Sequence, residues 1–252
     1  MPFGDVLNDR FRTFTPGQEV SDAWHGGVLA PGVRNDSTGA PQMVAERQGD
    51  FIGLAPTMWA DSAGHWADQG GFGDLGRMEL RRNGELIAKS IYAADVFRVP
   101  ADESTYELTF FSEKVGGPAK FWKRSTALAT SWTFASRKED DVYSRALPLL
   151  FPRLGLPADG LKTVAAGTVT IPARVQPNPG YDAGALAGAR VWTSTDGGAT
   201  WVEGTSKLTT SGADLVVDHT ADAGKPVSLR VELTDAKGTK VVQTITRAYD
   251  VR

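Results

Sequence analysis

A chain of 252 residues that is 41% hydrophobic and 23% charged can fold around a core, as one large domain or two ordinary ones. A net charge of -3 supplies no basic face for nucleic-acid phosphates, and no apolar run approaches the length that spans a bilayer. With no cysteine, disulfides, thiolate metal sites and cysteine nucleophiles are excluded.

Residues 1–23 are polar and rich in turn formers, and read as an arm with Phe3, Phe11 and Phe14 as anchors. The first residues hold no basic segment followed by an apolar stretch, so no signal peptide is expected there. Short apolar runs follow at Met43-Val44 and Phe51-Ile52-Gly53-Leu54. Residues 60–76 carry too much Gly and Asp for regular structure and read as a long loop. Next comes a hairpin, Met78 to Arg82 and Glu85 to Ile87, turned by Asn83-Gly84, since both residues tolerate positive φ. Asp95 to Val99 is a strand stopped by Pro100. Tyr106 to Phe110 is another. In the stretch from Ala127 to Phe134, Leu128, Thr130, Trp132 and Phe134 alternate with smaller residues, which predicts one buried and one wet face.

The charged run Arg137-Lys138-Glu139-Asp140-Asp141 reads as an exposed linker, and the domain boundary is placed after residue 140. Beyond it, Thr168 to Val175 is a strand with Val169, Ile171, Ala173 and Val175 on one face. Pro172 predicts an edge position for it. A hairpin from Ala189 to Glu203, strands at Asp214–Asp218 and Ser228–Thr234, a turn at Asp235 to Gly238 and a last strand from Lys240 to Tyr249 complete the chain. Both halves show short strands with frequent turns. The expected fold is therefore all-β: two tandem antiparallel β-sandwich domains, residues 24–140 and 141–252.

Ser194-Thr195-Asp196-Gly197-Gly198-Ala199-Thr200-Trp201 matches the Asp box of sialidase propellers. Its physics is that of a structural turn. The Asp196 carboxylate accepts backbone N–H groups, Gly198 takes positive φ, and Trp201 packs beneath, with Ser194 at its start. A single copy predicts no propeller. Asp36, His65 and Ser206 occur in the subtilisin order Asp, His, Ser, and Gly204-Thr205-Ser206 looks like the nucleophile motif. Lys207-Leu208 continue toward a strand where a buried helix would be required, so no catalytic residue is assigned.

The loop from Asp61 to Asp74 is the candidate site. Asp61, Asp68 and Asp74 are hard oxygen donors suited to calcium, although their spacing is not that of an EF-hand. His65, between Trp59 and Trp66, is a candidate ligand contact, and Trp192 a further stacking platform; a glycan- or polymer-binding module is the alternative function. The histidines His25, His65 and His219 do not pair in sequence, so zinc is not expected. Asn35-Asp36-Ser37 is a formal glycosylation sequon.

Three segments carry a family resemblance: Leu80-Arg81-Arg82-Asn83-Gly84-Glu85-Leu86-Ile87, Thr130-Ser131-Trp132-Thr133-Phe134, and Val227 to Gly238 together with Gln243-Thr244-Ile245-Thr246-Arg247-Ala248-Tyr249. In order and spacing they resemble the C-terminal accessory regions of large secreted bacterial subtilisin-like serine proteases, over residues 75 to 252. Lys240 departs from the pattern, at a turn. The last segment also resembles immunoglobulin-like and fibronectin type III repeats. The resemblance implies a second sandwich of that type and a non-catalytic accessory module, expected to be monomeric. It implies an extracellular location as part of a longer precursor. Its expected partner is an upstream protease domain or a protein or polymer substrate.

Overall fold

The computed structural model describes residues 7–67 and 73–252. The first half contains β1 (Ala30–Gly32), β2 (Ala45–Gln48), β3 (Phe51–Leu54) and β4 (Thr57–Ala60). Next are β5 (Asp74–Arg82), β6 (Glu85–Ser90), β7 (Asp95–Arg98), β8 (Ser104–Lys114), one helical turn α1 (Gly116–Ala119), and β9 (Ala127–Ser136). The second half contains β10 (Arg145–Ala146), β11 (Leu150–Leu154), β12 (Thr163–Val164), β13 (Thr168–Pro177) and β14 (Leu186–Ser194). It ends with β15 (Val202–Glu203), β16 (Thr205–Thr209), β17 (Gly212–Asp218), β18 (Pro226–Asp235) and β19 (Lys240–Val251). No described helix is long and apolar enough to cross a membrane.

The fold is all-β, as the alternation predicts. Leu128, Trp132 and Phe134 of β9 and Leu229, Val231 and Leu233 of β18 are all buried, and their neighbours along each strand are less so. The Asn83-Gly84 turn takes φ values of 49° and 87°, which match the twist of the two strands it joins. Pro172 does not mark an edge: β13 lies between β11 and β17. Opposite Pro172, however, β11 has ended. The last paired residue is Leu154, and the Gly155 N–H donates to the Pro172 carbonyl at 2.7 Å. A missing N–H on that side is deprived of no ladder partner, which is why proline is tolerated inside the sheet.

Among the described residues the strands form four sheets. Two are four-stranded, β10-β2-β3-β7 and β11-β13-β17-β16, and β1-β4 is a separate pair. The fourth runs β15-β14-β18-β19-β9-β8-β5-β6, with β12 added in parallel beside β19. This nine-stranded sheet crosses the boundary between the halves. β19 pairs with β9 from Lys240 opposite Thr133 to Thr246 opposite Ala127. The charged segment 137–144 is outside every strand, as a linker should be, but the sheets on its two sides are hydrogen-bonded to each other.

Side chains reinforce that joint. The fully buried indole of Trp132 donates to the Leu150 carbonyl at 2.6 Å and lies 5.4 Å from the Phe151 ring. Asn178, also fully buried, reaches back from the end of β13 to Val44, Ala45 and Leu147. The buried apolar residues of both halves belong to one cluster. Each large side chain in it contributes about 1.5–3 kcal/mol on removal from water.

Candidate functional site

β4 carries the chain inward and ends at buried Ala60, so the next residue, Asp61, starts its turn in the interior. A buried carboxylate is costly unless every oxygen is satisfied. Asp61 Oδ1 accepts the N–H groups of Ala63 and His65, both at 3.0 Å. Oδ2 accepts from the Gly26 N–H at 3.3 Å and from His65 Nδ1 at 2.7 Å. The Asp61 carbonyl accepts from Arg153 at 2.9 Å. Arg153 divides its remaining donors onto the Gln176 amide oxygen. Burial pushes the Arg153 guanidinium down from its ordinary pKa, and the Asp61 charge opposes that shift.

The N-terminal arm closes over this turn. Asn8 and Trp66 exchange backbone hydrogen bonds at 2.6 and 3.0 Å. Arg12 joins the carboxylates of Asp9 and Asp22. Trp24 stacks on the His65 imidazole, with centroids 3.9 Å apart and planes 8° from parallel. The chain then passes so close to Ser62 and the Leu154 carbonyl that a Cβ at Gly27 would lie 2.9 to 3.0 Å from them; its φ is 60°. Glycine is required there on both counts. Two of the aromatic residues expected to anchor the arm, Phe11 and Phe14, do not. Phe11 and Phe14 are 83% and 57% exposed, and Phe3 lies outside the described residues. Polar groups and Leu7 hold the arm instead.

Two of the carboxylates expected to bind calcium have protein partners. Asp61 spends its oxygens on N–H donors and His65. Asp74 is 2.6 Å from the ammonium of Lys114, itself 4.4 Å from the Trp59 ring and 4.3 Å from the Trp122 ring. That is a cation–π and ion-pair site. Asp68 lies outside the described residues. Trp59 and Trp66 are 0% and 4% exposed, so neither offers a face to a ligand, and both are packing residues. Trp192 is partly exposed, with the Arg190 guanidinium 4.6 Å from its ring. Of the expected contacts among the described residues, Asp61 and His65 come together. Their partners Asp9, Arg12, Asp22, Trp24 and Arg153 carry no local signal in the sequence, because each reaches the site from another segment.

The Asp box forms the expected turn. Thr200 donates its hydroxyl at 2.5 Å and its N–H at 3.0 Å to Asp196, and the Ser194 hydroxyl donates at 2.7 Å. These bonds, the Thr200 hydroxyl foremost, hold the Asp196 carboxyl far below the usual range. Trp201 closes the turn by donating to the Gly198 carbonyl at 3.0 Å, and Gly198 has φ 98°. A second Asp–His pair is formed by His219 and Asp222. His219 bonds Asp222 at 3.0 Å and the Tyr249 hydroxyl at 2.8 Å, tying the turn before β18 to β19. Burial pushes the Tyr249 phenol up.

Asp36, His65 and Ser206 have separate engagements. Asp36 caps its own turn through the N–H groups of Thr38 and Ala40. His65 is held by Asp61. Ser206, on the edge strand β16, donates to the Ala189 carbonyl. No family model matches the chain, and no curated protein sequence matches it.

Proposed function

We propose that this chain is a non-catalytic accessory module of a secreted subtilisin-like protease, with an immunoglobulin-like second half, exported as part of a longer precursor. The observation that carries this reading is the position of the three segments that resemble such regions. They lie in the β5–β6 hairpin, in β9, and in β18 and β19, all strands of the same nine-stranded sheet. A resemblance concentrated in a frame speaks for a structural role, because these are ladder and core positions. The separate engagements of Asp36, His65 and Ser206 support the same reading, since acyl transfer needs nucleophile and base within hydrogen-bond reach.

The test is the full reading frame, expressed with and without residues 1–252. The reading expects a serine protease whose turnover of short peptides is unchanged by the deletion and whose thermal half-life falls. Peptide hydrolysis by residues 1–252 alone, abolished by Ser206→Ala, would overturn it.

A further inference from the structure

We propose that Asp9, Asp22 and His65 form a zinc site that ties the N-terminal arm to the turn after β4. One carboxylate oxygen from each aspartate and one imidazole nitrogen lie within 4.8 Å of one another. Tetrahedral zinc with bonds near 2.0–2.1 Å places its ligands about 3.3 Å apart, so the three close by a movement on the order of 1 Å. Two of the three, Asp9 and Asp22, are on the arm.

The deciding feature is His65, whose side chain is 3% exposed. Its Nδ1 is bonded to Asp61 Oδ2 at 2.7 Å. In the neutral ring that bond sets the proton on Nδ1 and leaves the lone pair on Nε2. Nε2 makes no hydrogen bond among the described residues and points at Asp22 Oδ1, 3.5 Å away. A lone pair facing a carboxylate oxygen calls for a cation between them. The arrangement is a histidine ligand oriented by a carboxylate behind it, which fixes the ring. Trp24, stacked on the ring, gives the site an apolar wall.

Arg12 does not fill that place. It binds Oδ2 of both Asp9 and Asp22, leaving Asp22 Oδ1 turned to His65. It competes for the same negative charge, however, so the metal enters as Arg12 swings out to solvent. One imidazole and two carboxylates form a mixed nitrogen and oxygen set, which suits zinc and not the all-oxygen preference of calcium or magnesium. The sequence gives no sign of the site because its ligands are 13 and 43 residues apart and include only one histidine.

The experiment is calorimetric titration of the chelator-treated chain with zinc chloride, with calcium and magnesium chloride as parallel arms. One zinc per chain is expected, with a raised Tm, and neither result with calcium or magnesium. His65→Gln also removes a core contact, so the deciding variants are on the arm. Asp9→Asn and Asp22→Asn should each weaken zinc binding at least about tenfold. Arg12→Ala should tighten it, and His25→Gln should leave it as it was. Absence of stoichiometric binding would overturn the proposal. Binding that survives Asp22→Asn, or that vanishes with His25→Gln, would overturn it equally.

Discussion

Asn178→Ala lowers the stability of the whole chain by about 1–3 kcal/mol, because it leaves the buried Val44 N–H without its acceptor and takes one of two donors from each of the Ala45 and Leu147 carbonyls. Its side-chain oxygen accepts from the Val44 N–H at 3.0 Å. Its amide donates to the Ala45 carbonyl at 2.6 Å and the Leu147 carbonyl at 2.9 Å. Alanine supplies none of these partners; the two carbonyls keep the N–H groups of Leu147 and Leu149, but the Val44 N–H is left unpaired at about 1–3 kcal/mol. Asp is no rescue: it keeps an acceptor, loses both donors and brings a charge into a site with 0% exposure. The measurement is urea unfolding, where the midpoint should fall at constant m. A loss below about 1 kcal/mol would mean that water replaces the amide and that the joint does not depend on it.

The second large effect is at Asp61. Asp61→Ala should cost about 3–5 kcal/mol, the range for removing one partner from a buried charged network. Arg153 would keep its buried charge without the one anion that offsets the effect of burial on it. His65, Ala63 and Gly26 would lose their acceptor, and the arm would lose the ring on which Trp24 rests. Limited trypsin digestion reads this directly, because Arg10 is an exposed arm residue. Cleavage there should be faster in Asp61→Ala than in the parent protein. Equal rates in a stable variant would mean that the arm is held without this turn.

The strands were legible because burial repeats every second residue along β9, β13 and β18, and the Asn83-Gly84 and Asp196 turns because their backbone angles select their residues. Alternation specifies which face of a strand is buried and is silent about which strand lies at its edge. The pairing of β19 with β9 is an edge relation between residues more than 100 positions apart, and nothing near Trp132 or Val241 announces it. The loop after Trp59 is rich in carboxylates. A carboxylate shows its charge in the sequence but not its counter-ion. Asp74 found Lys114 and Asp61 found His65, and that choice of partner decides between an ion pair and a metal ligand. The tryptophans were ambiguous for a related reason, since an aromatic ring in a loop serves equally as a platform or as packing until burial distinguishes them.

Scanning calorimetry of the intact chain tests the joint between the halves most directly. A sheet shared through β9 and β19, fastened by Trp132 and Asn178, should melt in one transition whose calorimetric and van't Hoff enthalpies agree. Two resolved transitions, each sensitive to substitutions in one half alone, would contradict it.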